Sequence, residues 1–414
     1  MQPHRTDRVL PAVVWALGVT QVIGYGSLYY AFGVLAPDIA AEFGWPREWL
    51  YGALTAALLV GALVAPIAGS LSDSIGAARV MTFGSLGAAA SLAICALASN
   101  AVVFLLGLVA IEIASAFVLY STAFAAMAQL SERGSRQAIT HLTLIAGFAS
   151  SIFWPLTSFL NAGVSWQTVY LIYAGVNLAV CLPLHLWVSA HTKRSRLSKP
   201  LDAPPPLAPL ARPGSESAAL LLMLAAFALK GFVSSAVLVH LVPTLSELGM
   251  GAQGAIVAAV FGPAQVIGRL LNMWFGRNLS QVALAVFSAL SMPVGVFVLS
   301  LFAPSFAGAL VFAVLFGLGS GLGSIVSGTL PLALFGSSGY GRRLGMLSAA
   351  TLLSSAFAPF LFSLVASATN PRVALVFGAV VGMGAVLAFA AIWWTILPVA
   401  NPPLDEPKLS PETP

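Results

Sequence analysis

The most informative stretch of this sequence is GSLSDSIGAARVM, residues 69–81. On each side of it lies a run of about twenty apolar residues, the length that an α-helix needs to cross a bilayer. Two apolar helices joined by so short a turn must lie antiparallel. Gly69 lets a neighbouring backbone come close because it has no side chain, and Gly76 permits the tight turn. We expect Asp73 to cap the following helix and Arg79 to stay at the polar surface.

Charged residues are scarce throughout the 414-residue chain. They make up 7% of it, whereas hydrophobic residues make up 59%. A soluble globular protein carries about 25% charged residues, so we predict an integral membrane protein. The first apolar run, from Val9, is too long for a signal peptide and lacks a small-residue cleavage site. Cys95 and Cys181 lie inside apolar runs, and we interpret them as core residues without a redox role.

Apolar segments follow one another along the whole chain, and their pattern predicts an all-α membrane protein with twelve transmembrane helices. Their approximate bounds are 9–36, 48–71, 78–99, 101–127, 138–160, 167–189, 218–243, 252–274, 281–302, 306–332, 343–366 and 372–397. The one long loop lies between the sixth and seventh segments and combines basic residues with three prolines. We therefore predict two pseudo-symmetric six-helix bundles. The predicted parts are an N-terminal bundle at 1–189, a cytoplasmic linker at 190–217, a C-terminal bundle at 218–397 and a cytoplasmic tail at 398–414.

Lysine and arginine fall almost entirely on one side of the predicted helices. Fourteen of the eighteen lie in loops or tails on the side of the N-terminus, and only Arg47 and Arg372 lie on the other side. Because cytoplasmic loops carry the excess of Lys and Arg, we predict that both termini are cytoplasmic in the cell (inner) membrane. The net charge of +5 is thus a topology signal, and no nucleic-acid partner is expected. The remaining two basic residues, Lys230 and Arg269, lie within apolar segments.

The two halves show weak internal repetition at a shift of 205 residues. This shift places Gly26, Ala31, Glu42 and Gly44 on Gly231, Ala236, Glu247 and Gly249. Duplicated halves are typical of secondary transporters. In the same register Tyr25 corresponds to Lys230. The counterpart of the 69–81 stretch lies around residues 276–277 and has lost its aspartate.

Three ionisable side chains within the predicted helices are the first candidates for a site. Glu112 lies mid-span in helix four, Lys230 mid-span in helix seven and Arg269 in the cytoplasmic half of helix eight. A charge at the bilayer centre costs roughly 2.5–3.5 kcal/mol on insertion scales, so such groups mark functional sites or pair with one another. One interpretation is therefore a structural ion pair between Glu112 and Lys230.

The other interpretation is a ligand site, and its charges favour an anion over a cation. The three groups carry a net charge of +1 with Glu112 ionised and +2 with Glu112 protonated. A guanidinium holds a carboxylate through two parallel hydrogen bonds, so Arg269 is the predicted anchor. Lys230 would supply a second positive charge. Glu112 is the candidate for proton coupling.

Polar and aromatic residues near these charges complete the predicted substrate site. Gln21, Tyr25 and Tyr29 recur every four residues and share one face of helix one, although interhelical packing explains that pattern equally well. Ser320 and Ser324 share a face of helix ten, among alternating glycines that favour close packing. The sequence has no Walker loop, metal-ligand spacing or dinucleotide motif. We therefore expect no enzyme and no bound metal or cofactor.

The 69–81 stretch resembles the signature of the major facilitator superfamily, roughly Gly-x-Leu-Ala-Asp-Arg-x-Gly-Arg-Arg/Lys. Four positions match it: Gly69, Leu71, Asp73 and Gly76. Three small residues stand where the signature is basic: Ser74, Ala77 and Ala78. The resemblance implies a gating loop that includes Gly69, Asp73, Gly76 and Arg79. It also implies a central cavity lined by helices one, four, seven and ten.

Within that superfamily the sequence is most similar to the monocarboxylate and oxalate/formate transporter branch. The matching stretches are 24–26 (GYG), 29–30 (YY), 43–45 (FGW), 334–336 (LFG) and 340–343 (YGRR). Arg269 falls where that branch places an anion-binding arginine. Helix eleven lacks the lysine of the oxalate exchanger, and helix one lacks that of the animal lactate carriers. The identity of the anion therefore stays open.

These features give two main hypotheses. The first is a monomeric secondary transporter that moves a small organic anion, with a monocarboxylate favoured, by alternating access with proton coupling or exchange for a counter-anion. The second is a proton-coupled exporter of amphipathic compounds or drugs, with Glu112 as the coupling carboxylate. The absence of the helix-five Gly-Pro motif of drug antiporters favours the first. A membrane sensor or structural protein is a third reading, which would typically need an additional soluble domain.

Overall fold

A computed structural model describes residues 11–197, 208–251, 253–276 and 279–396, and these are helical almost throughout. The helices are α1 Pro11–Gly24, α2 Ala31–Phe43, α3 Arg47–Leu71, α4 Ala77–Ala96, α5 Ala101–Val118, α6 Tyr120–Leu130, α7 Glu132–Ala146, α8 Ala149–Gly163, α9 Trp166–Val176, α10 Leu182–Leu197, α11 Glu216–Glu247, α12 Gln253–Phe275, α13 Gln281–Phe302, α14 Phe306–Phe335, α15 Tyr340–Ala368 and α16 Pro371–Ala391. Short π-helical segments lie at Tyr25–Tyr30, Ser72–Gly76 and Asn177–Cys181, and a 3-10 turn at Ile392–Thr395. The predicted tail and part of the predicted linker lie outside the described residues.

The described residues contain eleven helical segments that are long and apolar enough to cross a membrane. The prediction of an all-α, multi-pass membrane protein is therefore confirmed. One segment, Trp49–Ala96, has 48 residues, which at 1.5 Å per residue is about 70 Å, more than twice the ~30 Å hydrocarbon core. Gly76 interrupts this run with a φ of 99°, a conformation that suits glycine. α3 and α4 are therefore separate helices.

Several predicted segments contain a change of helical geometry. The first includes α1, a π-helical segment and α2, the fourth is broken between α5 and α6, and the fifth is broken between α7 and α8. Apolar composition continues across each of these breaks. Hydropathy therefore predicted the segments but carried no signal for the interruptions within them.

Buried apolar side chains form four clusters. One draws on residues 28–174 and two draw on residues 211–392, so each of these lies within one half of the chain. The fourth cluster combines residues 13–188 with Leu332, Tyr340 and Leu344. Each half therefore has an interior of its own, and the halves meet through one shared cluster.

The two halves are in contact at the end of the molecule that carries the Ser72–Gly76 turn, which we call the closed end. A Cβ atom at Gly69 would collide with the backbone carbonyl of Gly341. The hydroxyl oxygens of Ser121 and Ser348 lie 2.6 Å apart across the same interface. Glycine permits this backbone contact because no side chain separates the helices.

Asp73 caps a helix of the other half rather than the next helix in the sequence. Its Oδ1 and Oδ2 accept hydrogen bonds from the backbone N–H groups of Gly341 and Arg342, at 2.8 and 2.9 Å. The N–H of Ala77, the first residue of α4, donates instead to Gln129 Oε1 at 3.1 Å. The prediction that Asp73 caps the following helix is therefore wrong, because Gln129 occupies that position. The positive end of the α15 dipole favours the carboxylate.

Arg136, near the start of α7, makes a related contact with the second half. Its Nη2 donates to the carbonyl oxygens of Gly276 and Leu279 at 3.0 and 2.9 Å. Gln281, in the amide orientation that satisfies both of its ends, accepts from Nη2 and Nε at 2.6 and 2.8 Å. In the 205-residue register Arg136 aligns with Gly341. The Asp73 and Arg136 contacts therefore occupy corresponding places in the two halves. At the 136/341 position the first half supplies a side chain as donor, whereas the second half supplies a backbone N–H.

The four residues predicted as a gating loop occupy different positions at the closed end. Gly69 faces the other half, Gly76 adopts the positive φ, and Asp73 contacts α15. Arg79 is solvent-exposed, and its Nη1 lies 3.5 Å from the carbonyl oxygen of Ile75. Three of the four therefore shape the contact or the turn itself. Their role in gating stays a prediction.

Candidate functional site

A cavity of about 200 Å³ lies between the two halves of the described chain. This volume corresponds to about seven water molecules at ~30 Å³ each, so it suits a small organic molecule. The lining residues are Tyr25, Tyr30, Tyr120, Ala146, Gly147, Ser150, Gly262, Gln265, Arg269, Ser320 and Ser324. Tyr25, Arg269, Ser320 and Ser324 were predicted from the sequence, and the structure brings these four together.

Arg269 on α12 is the one charged residue in this lining and is 6% exposed. Its Nε donates to Ser324 Oγ at 3.1 Å, and its Nη2 donates to Gln265 Oε1 at 3.3 Å. A guanidinium has five N–H donors, so three remain beyond these two bonds. Among the described residues, no carboxylate lies within ion-pair distance of it. A buried cation with free donors therefore faces the cavity.

Close packing of α14 on α12 brings the two serines into the cavity. A Cβ atom at Gly321 would collide with the backbone of Gln265, and one at Gly317 would collide with Ala264. The glycines of α14 thus allow the two helices to approach closely. As a result Ser324, on the next turn, reaches the guanidinium of Arg269.

The first half meets Arg269 at a helix break. α7 ends at Ala146 and α8 begins at Ala149. Gly147, between them, lies beside the guanidinium, and a Cβ atom there would collide with Nη1 of Arg269. Gly147 therefore leaves the space that the arginine occupies.

Three tyrosines supply the aromatic surface of the cavity. The ring centroids of Tyr25 and Tyr120 are 4.7 Å apart, and Tyr120 stacks on Phe124 at 5.1 Å with an interplanar angle of 10°. Arg269 lines the same cavity as these three tyrosines. The positive charge and the aromatic surface therefore belong to one site.

Three other residues predicted for the substrate site lie outside this lining. Gln21 is fully buried, and its Nε2 donates at 2.8 Å to the carbonyl oxygen of Val118, where α5 ends. Tyr29 is 56% exposed and packs edge-to-face on the next tyrosine. Lys230 is half-buried against Gly323, whose missing side chain makes room for Nζ. These three side chains therefore do not line the cavity in the described state.

Glu112 and Lys230 do not form the ion pair that the sequence left open. Glu112 is buried on α5 with its Cβ next to Gly61 of α3. Lys230 lies on α11 and faces α14 instead. Within the described part of the chain, neither has an oppositely charged partner within 4.0 Å. The two groups are therefore separate features of the interior.

Sequence reasoning missed seven residues of the lining: Tyr30, Tyr120, Ala146, Gly147, Ser150, Gly262 and Gln265. Gln265 precedes Arg269 by four residues and shares its helix face, so this spacing could have identified it. Gly147 lies in a helix break and Tyr120 directly follows one. Nothing in the local sequence indicates that these breaks open onto a cavity.

Comparisons with known proteins agree with this fold. The family model of the Major Facilitator Superfamily matches residues 17–294, about two thirds of the chain. A comparison with curated proteins finds no match.

Solved structures with the same fold include several transporters. The human organic anion transporter MFSD10 (TETRAN) superposes with a TM-score of 0.70 at 16% identity, over 92% of this chain and 100% of that one. The proton:xylose symporter XylE bound to 6-bromo-6-deoxy-D-glucose superposes with a TM-score of 0.69 at 13% sequence identity, over 93% of this chain and 96% of that one. FucP in the outward conformation superposes with a TM-score of 0.66 at 14% sequence identity, over 91% of this chain and 98% of that one. With the family match, these likenesses confirm the superfamily that residues 69–81 indicated, and the chain belongs to the Major Facilitator Superfamily of membrane transporters.

Proposed function

We propose that this protein is a secondary transporter that moves a small organic anion, with monocarboxylates as the favoured class, by alternating access. Arg269 carries the proposal, because it is buried between the halves and no described carboxylate pairs with it. An entering anion supplies the missing partner through charge-assisted hydrogen bonds. The resemblance to the monocarboxylate and oxalate/formate branch supports the same class. The fold shared with the organic anion transporter MFSD10 is compatible with it.

The architecture that we propose for this function has twelve transmembrane helices in two six-helix bundles, at 1–189 and 218–397. α3 and α4 count as two spans because Gly76 separates them. The distribution of Lys and Arg favours a position in the inner membrane with both termini and the closed end in the cytoplasm. In that orientation the described state is closed toward the cytoplasm. We propose that the protein works as a monomer.

In this proposal Glu112 couples transport to protons, because it takes up and releases a proton as the anion moves. The alternative to proton coupling is exchange of the substrate for a counter-anion. The burial of Glu112 and its lack of a described cationic partner support its role in coupling. Lys230 acts at longer range, because its Nζ lies behind Gly323 rather than in the cavity lining. Its charge adds to the positive potential around the site.

A thermal-unfolding screen followed by flux measurements tests the proposal. Purified protein is screened against carboxylates, amino acids, sugars and drugs, because a ligand that binds the folded state raises its Tm. We expect stabilisation by carboxylates, loss of that stabilisation in Arg269→Gln, and loss of carboxylate flux in proteoliposomes. Arg372→Gln is the matched control, because Arg372 donates to the carbonyl of Ala303 outside the cavity. Undiminished flux in Arg269→Gln, with the control also active, contradicts the assignment.

A second candidate function is proton-coupled export of amphipathic compounds. Glu112 favours it, since a buried carboxylate without a described cationic partner is suited to carry a proton. This alternative predicts that Glu112→Gln abolishes resistance of expressing cells to exported drugs. Resistance that is unchanged in the variant rules this mechanism out.

A further inference from the structure

The charge of the cavity limits the charge of its ligand. Arg269 is the one charged residue among the lining residues of the described chain. One guanidinium neutralises a monoanion, whereas the second charge of a dianion has no cationic partner among the lining residues of the described chain. The cavity therefore suits an acid with a single carboxylate.

The free donors of the guanidinium determine where that carboxylate binds. Nε and one N–H of Nη2 already donate to Ser324 and Gln265 of the second half, so the free donors are the other N–H of Nη2 and both N–H groups of Nη1. Nη1 lies beside Gly147 of the first half and has no hydrogen-bond acceptor among the described residues. A carboxylate that accepts from Nη1 is therefore held next to the first-half wall of the cavity.

The large side chains of that wall are tyrosines. Tyr25, Tyr30 and Tyr120 line it, and the other lining residues are small, apart from Gln265 and Arg269. Stacking on Phe124 holds the ring of Tyr120 in place. Aromatic rings pack favourably against other rings in offset or edge-to-face arrangements. No large aliphatic side chain competes with the tyrosines among the lining residues of the described chain.

We infer that the substrate is a single-ring aromatic monocarboxylate, whose carboxylate binds Arg269 and whose ring packs against Tyr25, Tyr30 and Tyr120. The inference rests on the proposed function, because it names the class of anion that the same site takes. A cavity of about 200 Å³ has room for one such ring with its carboxylate. The tyrosine hydroxyls and Ser150 also provide partners for a hydroxyl group on the ring.

The test compares ligands by isothermal titration calorimetry on the full-length protein in lipid nanodiscs. Benzoate has the aromatic ring, cyclohexanecarboxylate has a ring of similar size without π electrons, and phthalate adds a second carboxylate. We expect benzoate to bind about fivefold to tenfold more tightly than cyclohexanecarboxylate, as expected for an aromatic pair, and phthalate to bind more weakly than benzoate. Equal affinities for the two ring acids, or tightest binding of phthalate, overturn the inference and leave the proposed function intact. Binding of lactate without binding of benzoate also overturns the inference and leaves the proposed function intact. If no carboxylate binds, the inference and the proposed function are both overturned.

Variants of the aromatic wall provide the second measurement. Tyr120→Leu and Tyr30→Leu should each lower the preference for benzoate over cyclohexanecarboxylate toward one, while the affinity for cyclohexanecarboxylate persists. Persistent binding of that acid shows that the variant is folded. Tyr51→Leu is the control, because Tyr51 is 49% exposed and lies outside the lining. A preference that survives in both wall variants overturns the inference.

Discussion

Asp73 and Gly341 join the two halves of the molecule, since Oδ1 of Asp73 accepts the backbone N–H of Gly341 at 2.8 Å. The carboxylate belongs to the turn between α3 and α4, and the donor belongs to the first turn of α15. This hydrogen bond exists only while the halves touch at the closed end. It therefore stabilises the closed state relative to any state in which this end opens.

Asp73→Asn should shift the protein toward opening of the closed end. The amide keeps one acceptor and loses the charge that the α15 dipole favours, so the expected cost is about 1 kcal/mol, or about fivefold in population. The readout is the rate at which a cysteine at position 348 (Ser348→Cys) reacts with a water-soluble maleimide. The natural Cys95 and Cys181 are buried and contribute little background. Asp38→Asn is the control, because Asp38 accepts from Asn161 within its own half; equal labelling in the two variants contradicts the prediction.

Arg136→Gln should open the same end by removing the donor to Gly276 and Leu279. Hydrogen bonds to charged groups contribute about 1.5–3 kcal/mol, so the effect should exceed that of Asp73→Asn. The two contacts share no residue, and we expect their effects to add within about 0.5 kcal/mol in the double variant. The same cysteine-labelling assay measures this. A double variant that opens no further than either single variant would show that the contacts act as one unit.

Gly69→Ala should hinder closure at this end. Its methyl group would collide with the carbonyl of Gly341, and overpacking of this kind costs about 1–3 kcal/mol. Gly33→Ala is the matched control, since a Cβ atom there meets nothing within 4 Å. We expect faster labelling of the cysteine at position 348 in the first variant and unchanged labelling in the second. Identical labelling rates in the two variants would mean that the interface accommodates the added methyl group at no cost in free energy, which contradicts the prediction.

Gly147→Ala should weaken anion binding although it leaves Arg269 unchanged. The new methyl group takes the space of Nη1, which displaces the guanidinium from the geometry that pairs with a carboxylate; we expect about a tenfold loss of affinity. Gly262→Ala is the control within the same cavity, because a Cβ atom there has open space. Calorimetry with benzoate or lactate measures both. If Gly147→Ala binds as well as the natural protein, the guanidinium is free to move and this account of its position fails.

Composition and local pattern were sufficient to predict the membrane-spanning helices and the turn at residues 69–81. Arg269, Ser320 and Ser324 were also accessible to this reasoning, because a charge inside an apolar run and a helical spacing are local signals. Tyr120 and Gly147 were not, because both depend on helix breaks that apolar composition conceals. The separation of Glu112 from Lys230 was likewise beyond reach, since it depends on how several helices rotate against one another.

The partner of Asp73 was misassigned for a different reason. A carboxylate at the start of a helix is well placed to cap that helix, and the local sequence offers no competitor. Gln129, far away in sequence, takes the first N–H of α4. Asp73 is thereby released to bind the start of α15 through backbone groups. A Cβ atom at position 341 would collide with Gly69 and Asp73, so that position requires glycine, whereas any residue except proline at position 342 provides the N–H.

Because Asp73 binds only backbone groups of α15, its contact specifies no hydrogen-bonding side chain on the opposite half. Position 342 is therefore free to change during evolution as long as the first turn of α15 forms, whereas position 73 is not. Complementary changes in residue pairs, which usually reveal contacts across an interface, should therefore be missing between positions 73 and 342. Selection at this contact therefore acts on the carboxylate at position 73 and on the missing side chain at position 341, and it spares the side chain at position 342.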